Sequence, residues 1–355
     1  MSPAEPLLNP YGPSPLYPVQ WSTANCAGVT VPTTTCVAQV YGATNTRVEQ
    51  YGLYGQLRLS PVAGLTITGG GRLTWWESNN QVLLPTRGNR TSQLIDGRFT
   101  PYVGVVWDAT DNLNFYASYA DSFSPQAAPS GRRKPDGSDV LPLIGAQFEG
   151  GTKLSLMNDR LLLSLAAYQI EQTNRLFNDP DDATVYLQVG KVRARGIEAE
   201  IGGEILPGWR INGGYSYTKT KYLEDANTAF EGIPLTPIIP EHMVKLFTNY
   251  APTSGMLQGF SLGGGVTWFD ATYGGNPSYI NPANGQRVIS TIVRQGSYAV
   301  VDLRAGYKLS ERIALSVNAN NVLDRNYYAR ISATGRGNYY GTPRSVFGTI
   351  RFTFE

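Results

Sequence analysis

The sequence predicts an antiparallel transmembrane β-barrel. From about residue 46 to the C-terminus, apolar side chains alternate with small or polar ones along segments of roughly ten to fourteen residues. The connections between these segments are alternately very short and long. Aromatic residues collect near segment ends, at Trp75, Trp107, Trp209, Trp268 and Tyr307. Tight turns at one end, extended loops at the other, and belts of Trp and Tyr between water and lipid are what such a barrel requires. A soluble β-sandwich also alternates, but its strands run to about five or six residues. It also gains nothing from Trp at the ends of an outward face.

Thirteen segments follow in order. Residues 46–60 and 65–78 are joined by the short Pro61–Gly64. In the second, Leu65, Ile67, Gly69, Gly71, Leu73 and Trp75 point one way, and Thr66, Thr68, Gly70, Arg72, Thr74 and Trp76 the other. The long stretch 79–96 leads to 97–109, and Thr110–Asn112 turns into 113–122. After 123–143 comes 144–156, which Met157–Asp159 links to 160–175. Beyond 176–183, the segment 184–205 turns at Leu206–Gly208 into 209–222. Residues 223–240 are long again; 241–251 and 259–273 flank the short stretch near Pro252–Leu257. The connection 274–295 precedes 296–308, in which Val301, Leu303, Ala305 and Tyr307 oppose Asp302, Arg304, Gly306 and Lys308. Leu309–Arg312 turns into 313–323, with Ile313, Leu315, Val317 and Ala319 on one side. The stretch 324–342 leads to 343–355, where Val346, Gly348, Ile350, Phe352 and Phe354 share a face. Most short connections carry Pro, Gly, Asn, Asp or Ser, the turn formers.

Short turns belong in the periplasm and long loops outside the cell. The last strand then runs toward the periplasm, and so does the first, which makes residues 1–45 the tail of an extracellular loop. Thirteen is an odd number, whereas bacterial barrels use even counts. An open sheet would leave backbone groups unsatisfied in lipid, at several kcal/mol each. The expectation is a C-terminal part of a larger barrel, or a truncated product. Residues 1–24 hold no basic stretch followed by an apolar core, so no signal peptide is read there, which favours the same expectation.

Composition narrows the classes further. Hydrophobic residues make up 41%, mean hydropathy is −0.23, and no stretch nears about twenty apolar residues, which argues against a helical membrane protein. The 22 Tyr and 39 Gly suit a twisted sheet with aromatic belts. A net charge of +2 gives nucleic-acid binding no support. Cys26 and Cys36 are the only cysteines, and in an oxidising compartment their spacing suggests a disulfide-closed loop; two free thiols are the alternative. The sole histidine, His242, has no nucleophile motif beside it, so an outer-membrane enzyme is disfavoured. One His and two close Cys do not make a usual transition-metal site.

Several runs resemble one family. They are Gln50–Leu59 with Gly69–Trp76, Phe99–Asp108 with Asn114–Gln126, Arg195–Glu200, Ile239–His242, Asn320–Tyr328 and Tyr340–Arg344. In order and spacing they resemble TonB-dependent ferric siderophore receptors, over residues 46–355, and most closely the hydroxamate or pyoverdine branch. The resemblance implies a 22-stranded barrel around an N-terminal plug domain, with a TonB box contacting TonB–ExbB–ExbD. Plug, TonB box and about nine strands are not found in this sequence, so the polypeptide alone is not expected to transport. No cofactor is implied, because iron arrives already held by the siderophore. Outer-membrane barrels commonly end on an aromatic residue; here Phe354 is followed by Glu355.

Binding is expected from aromatic and polar side chains near the extracellular end. Trp76 faces inward by alternation at the top of its segment, and Phe269 follows the same logic. Tyr119 or Phe123 lies near the next loop, and Tyr339 and Tyr340 lie in the last one. The alternative for each is packing of loops or anchoring at the interface. Arg58, Arg72, Arg304 and Arg351 read as lumenal and could steer an anionic complex. The acidic run Asn178–Asp182 lacks the Gly and terminal Glu of an EF-hand loop and reads as solvated. Asn320, Asn321 and Asp324 read as turn-fixing. Within the same fold the ligand could instead be cobalamin, haem or a glycan. A passive porin and a soluble extracellular β-protein are the competing classes.

Overall fold

The computed structural model describes residues 43–84, 90–126, 134–138, 140–178, 185–275, 279–280, 285–288, 292–332 and 337–354. Cys26, Cys36, the stretch 1–42 and the acidic residues 179–182 lie outside the described residues. Strands dominate: β1 (Ala43–Val62), β2 (Leu65–Leu84), β3 (Arg90–Thr110), β4 (Leu113–Ser124), β5 (Leu143–Leu156), β6 (Leu161–Asn178), β7 (Tyr186–Leu206), β8 (Trp209–Glu224), β9 (His242–Tyr250) and β10 (Phe260–Phe269). Then follow β11 (Thr272–Gly274), β12 (Tyr279–Ile280), β13 (Arg287–Val288), β14 (Val293–Gln295), β15 (Tyr298–Lys308), β16 (Ile313–Asn320), β17 (Tyr328–Arg330), β18 (Tyr339–Tyr340) and β19 (Ser345–Phe352).

Thirteen strands form one sheet in chain order: β1 to β10, then β15, β16 and β19. β1 and β19 stand at the two ends of that order. The short strands pair as β11 with β14, β12 with β13 and β17 with β18, all inside long connections. The chain divides into two compact units, one holding Arg72–Phe99 with the residues up to Gly55, the other Gln56–Gly71 with Thr100–Glu355.

In number and place the main strands match the sequence reading, and from β4 to β9 their bounds agree to within about three residues; β2 and β3 run well beyond it. β2 runs to Leu84 and β3 starts at Arg90, where the sequence predicts a loop over 79–96. The apolar alternation stops where lipid would stop, but a ladder in water needs no apolar face. Polar side chains take over there: Thr46 Oγ1 donates to Asn80 Oδ1 at 3.0 Å, and Asn79 Nδ2 to Glu77 Oε1 at 2.7 Å.

Strand register sorts the second unit into two faces. Tyr250 opposes both Trp209 and Leu262, and Phe260 opposes Tyr307. Leu303 opposes Gly264 and Ala319, and Ala319 opposes Val346. Leu262, Leu303, Leu315, Val317, Val346 and Ile350 therefore line one apolar face. Leu262 is 67% exposed and Ile350 61%. A water-soluble monomer rarely leaves a contiguous face of this kind uncovered. The other face carries Asn212, Ser216, Lys245, Thr267, Asp302, Arg304, Asn318 and Arg351, so Arg304 and Arg351, two of the four arginines read as lumenal, share the polar side.

Aromatic pairs close the apolar face at the short-turn end. Trp107 stacks on Phe115 with centroids 5.8 Å apart, Trp209 meets Tyr250 edge-on at 6.4 Å, and Phe260 lies 4.3 Å from Tyr307. At the long-loop end Tyr217 stacks on His242 at 4.8 Å, and Tyr215 Oη lies 2.9 Å from His242 Nδ1. Backbone bonds lace neighbouring turns together: Asp108 N to Gly64 O, Ser155 N to Asn112 O, Glu204 N to Arg160 O, Ala251 N to Gly208 O and Lys308 N to Gly259 O, all 2.7–2.8 Å.

The β8–β9 connection folds back on its own strand. Tyr222 N donates to Ile233 O at 3.0 Å, Gly232 N to Tyr222 O at 2.9 Å, and Asn227 caps a 3-10 turn over Thr228–Phe230. Asp225 is buried beneath it and accepts from Asn227 N. Burial pushes its carboxyl above the ordinary value, Glu231 adds to the rise, and the Asn227 amide and Arg175 oppose it. An acid raised in the folded loop contributes stability below its unfolded value and loses it as pH rises through the folded value. Asp225→Asn is therefore expected to slow hydrogen exchange at the Tyr222 and Gly232 amides at about pH 7, and to change little near pH 3. Faster exchange at neutral pH would contradict this.

Candidate functional site

The polar face ends, at the long-loop side of β10 and β15, in a chain of aromatic rings. Phe269 closes β10 and pairs in register with Tyr298, which opens β15. Their rings stack at 5.0 Å, and Tyr298 stacks in turn on Tyr327 at 4.7 Å. Next in the chain, Tyr328 stacks on Tyr340 at 4.8 Å with interplanar angle 18°. Offset stacks of this kind are favourable beyond the area they bury.

Backbone sets each ring. Tyr328 opposes Tyr340 and Arg330 opposes Tyr339 across the β17–β18 ladder. Tyr328 N donates to Gln295 Oε1 at 2.8 Å, tying this ladder to the end of β14. Gly341 N donates to Tyr327 O at 2.8 Å, and a Cβ on Gly341 would sit 2.1 Å from the Tyr327 ring, so the ring lies where only glycine leaves room. The hydrogen bond with Tyr340 holds the Tyr328 hydroxyl above the usual phenol value, so it stays protonated well past neutral pH.

Upstream, the run Asn320–Asp324 ties the site to the sheet. Asn321 is left-handed, with φ 48°, and only 2% exposed. Its backbone N–H donates to Asp302 Oδ1, so Asp302 serves here as a structural anchor. Asp324 receives Arg344 N at 3.0 Å and faces the Arg344 guanidinium at 3.6 Å.

A cavity of about 360 Å³ opens among Ile238, Pro240, Phe269, Tyr298, Tyr327 and Arg330. That volume is in the range of small-ligand sites. Along the polar face a wider recess of about 760 Å³ is lined by Glu198, Glu200, Asn212, Ser216, Lys245 and Asp302, from four strands. Among the described residues no group of three His, Cys, Asp or Glu could hold a metal ion.

The structure brings together some of the residues picked from sequence and separates others. Phe269 belongs to the ring chain, and Tyr340 to the separate Tyr328–Tyr340 stack. Tyr339 stands beside it, 61% exposed, opposite Arg330. Trp76 lies in the other unit, on the side of β2 shared with Arg72 and the buried Thr74; the strand runs on past it to Leu84, so Trp76 does not top its strand. Tyr119 opposes Phe148 and Phe123 opposes Ile144, on the same side as Phe115, which is the apolar face. Tyr119 packs on Phe148 at 4.7 Å and its hydroxyl donates to Asp121. Sequence reasoning missed Tyr298, Tyr327, Tyr328 and Arg330. The Asn326–Tyr328 run was the available signal, but its partners are set by pairings far apart in the chain.

A model of the family "TonB dependent receptor-like, beta-barrel" matches residues 8–322. The chain belongs to this family. Such receptors are outer-membrane β-barrels, so the apolar face meets lipid and the polar face is the lumenal one. The chain is 33% identical over 319 residues to the ferric-pyoverdine M114 receptor PbuA of Pseudomonas sp. (strain M114), covering 88% of this chain and 37% of that protein. It is 32% identical over 296 residues to the ferrichrome outer membrane transporter/phage receptor of Escherichia coli (strain K12), covering 81% and 36%. The ferripyoverdine receptor of Pseudomonas aeruginosa, solved bound to ferripyoverdine, superposes with a TM-score of 0.72 at 30% identity, over 87% of this chain and 39% of that one. The chain thus spans little more than a third of these relatives' length. Its order from the β1–β2 hairpin to β19 is the strand ladder of a TonB-dependent receptor.

Proposed function

We propose that this chain forms the C-terminal barrel part of a receptor that takes up a ferric siderophore, with energy delivered through TonB. The observation that carries the reading is the ring chain from Phe269 through Tyr298 and Tyr327 at the lumenal, long-loop end of the sheet. Flat aromatic faces suit a large, partly apolar chelate whose iron is already fully coordinated. Phe269, Tyr339 and Tyr340 serve as ligand contacts in this reading; Trp76, in the other unit, is a separate candidate contact. Arg330, Arg304 and Arg351 steer an anionic complex inward. Relatives that are receptors for ferric pyoverdine favour a pyoverdine or other hydroxamate-type ligand. The complete barrel is 22-stranded and plugged in this proposal, and the plug and TonB box couple it to TonB–ExbB–ExbD. No bond chemistry is involved.

In cells whose receptor of this kind carries this chain, iron-55 should accumulate from a ferric hydroxamate or pyoverdine complex and stop when a protonophore is added. Phe269→Ala with Tyr298→Ala should raise the half-saturating concentration about tenfold or more, two lost aromatic contacts being worth about 1.4 kcal/mol or more. Uptake of cobalamin or haem in place of every ferric complex would overturn the siderophore reading. Uptake indifferent to the protonophore would overturn the TonB-driven one.

A further inference from the structure

The β8–β9 connection is a second limb laid against the end of β8. Its return half meets β8 at alternate residues. Gly232 N donates to Tyr222 O at 2.9 Å, Thr236 N to Thr220 Oγ1 at 3.4 Å, and Thr218 N to Glu241 O at 2.8 Å. The same limb reaches the cavity beside the ring chain. Its Pro237 O accepts from Tyr273 N, on β11, at 3.1 Å. Its Ile238 and Pro240 stand in the cavity wall with Phe269, Tyr298 and Tyr327. How firmly the limb is held to β8 therefore sets where that wall stands.

The limb turns back over one carboxyl. Asp225 is 9% exposed, and its Oδ1 accepts from Asn227 N at 2.8 Å. Rings flank this turn: Phe230 lies 6.4 Å from Tyr222, and Tyr222 lies 6.5 Å from Phe177 on β6. The charged groups facing Asp225 are Glu231 on its own connection and Arg175 on β6. Its neighbour Glu224 opposes Lys191 on β7, and Lys191 pairs with Glu171 at 2.9 Å. Among the described residues Asp225 makes no ion pair. An ionised carboxyl buried without a paired cation is costly. An asparagine could accept the same amide bond and carry no charge. The acid therefore adds one property that the amide lacks, a hold that depends on a proton.

We propose that Asp225 is a positioning residue for the cavity: with its proton it holds the limb and the Ile238–Pro240 wall in place, and without the proton it lets them loosen. Burial favours the neutral acid, the Asn227 amide and Arg175 oppose this, and Glu231 adds to it. Below the unfolded value, about 3.9, the acid is neutral whether the limb is docked or free, and the hold is complete. As pH rises through the docked value, the limb must bury a charge and the hold weakens. The consequence for ligand, which rests on reading this cavity as the ligand site, is tighter binding in acid. By reciprocity, ligand binding draws a proton onto Asp225.

The test has a ligand-free arm and a binding arm, both on the receptor that carries this chain, purified in neutral detergent. Hydrogen exchange is followed from about pH 4 to about pH 7, across the rise of a buried carboxyl above its ordinary value, for the unaltered receptor, D225N, E231Q and R175Q. Protection of the Thr236 and Tyr273 amides should fall with rising pH in the unaltered receptor and stay level in D225N. E231Q, which removes a like charge, should move the fall to lower pH. R175Q, which removes an opposing one, should move it to higher pH. In the second arm, affinity for a ferric hydroxamate should drop about fivefold or more over the same range relative to D225N, the low end of common coupling between sites. Equal pH profiles for the unaltered receptor and D225N, or shifts in the same direction for E231Q and R175Q, would overturn the proposal. So would a fall confined to the Tyr222 and Gly232 amides, which would leave the wall unlinked to the carboxyl. A fall at Thr236 and Tyr273 with no ferric complex bound at any pH would bear out the proton-dependent hold and sink the siderophore reading instead. Should D225N fail to fold, the opposite shifts of E231Q and R175Q decide.

Discussion

Asn321→Ala is expected to cost the receptor about 3–5 kcal/mol and to release the last long connection from the sheet. The side chain is spent on three bonds. Oδ1 accepts from Arg325 N at 2.8 Å, and Nδ2 donates to Arg325 O at 3.0 Å and Thr342 O at 3.1 Å. Alanine makes none of these; the partner groups lie on Arg325 and Thr342, exposed residues where water replaces part of each bond, so each loss costs about 0.5–1.5 kcal/mol. It must also hold φ 48°, which asparagine tolerates far better. Asn321→Gly removes the backbone penalty and keeps the bond losses, so it should fall between wild type and alanine. Asn321→Asp keeps the Arg325 acceptor but turns two donated bonds into carboxylate–carbonyl repulsion beside Asp302, and should be as damaging as alanine. Guanidinium midpoints followed by tryptophan fluorescence would rank the variants. An alanine variant within about 1 kcal/mol of wild type would show that the connection is held by other contacts. Because Tyr327, Tyr328 and Tyr340 all lie on that connection, ligand affinity should fall in parallel with its loss.

Gly196→Ala is the second large effect, expected at about 2–4 kcal/mol. A Cβ there would lie 2.1 Å from Tyr217 O and 2.7 Å from the Tyr168 hydroxyl. The first is backbone of β8 and cannot step aside without breaking the ladder. The second belongs to a ring that lies flat over the glycine and bonds Thr218 Oγ1 at 2.7 Å, spanning β6 to β8 across β7. Tyr168, Gly196 and Thr218 are partners in one row, so the glycine is the gap through which the tyrosine reaches. Aromatic rings covering strand glycines are a known device for holding register. Tyr168→Ala in the Gly196→Ala background should recover part of the loss, because it clears the ring clash and leaves the carbonyl clash. Strictly additive losses in the double-variant cycle would mean the ring and the glycine do not interact.

The fold was legible because lipid on one side and water on the other mark every strand with period two. The residue alternation at 301–308 and 313–320 predicted the two faces that the register now confirms. Extension of β2 and β3 past the apolar zone was not legible, since a strand in water on both faces carries no such mark. Tyr119 and Phe123 lie near a loop in the sequence. Their odd-numbered alternation with Leu113 and Phe115 already placed them on the apolar side. The ring chain was half legible. Phe269 and Tyr340 lie where a strand ends and where a motif begins, but Tyr298 and Tyr327 meet only through pairings about thirty residues apart, which no local pattern encodes. Asn321 reads in sequence as a turn former, and its three bonds depend on Thr342, which only the folded connection brings near.

The strictly sequential strand order carries a consequence for how the sheet is built. Every main strand from β2 to β16 pairs with the main strands just before and after it, including β10 with β15 and β16 with β19 across their long connections. Between β1 and β19 no strand waits for a distant partner, so hairpins can be added one at a time to a growing ladder. At each stage only its two outermost strands present open hydrogen-bonding groups, and the turn-to-turn bonds fasten each new hairpin to the one already in place. A chain laid down in this way reaches lipid with the smallest exposed edge its length permits.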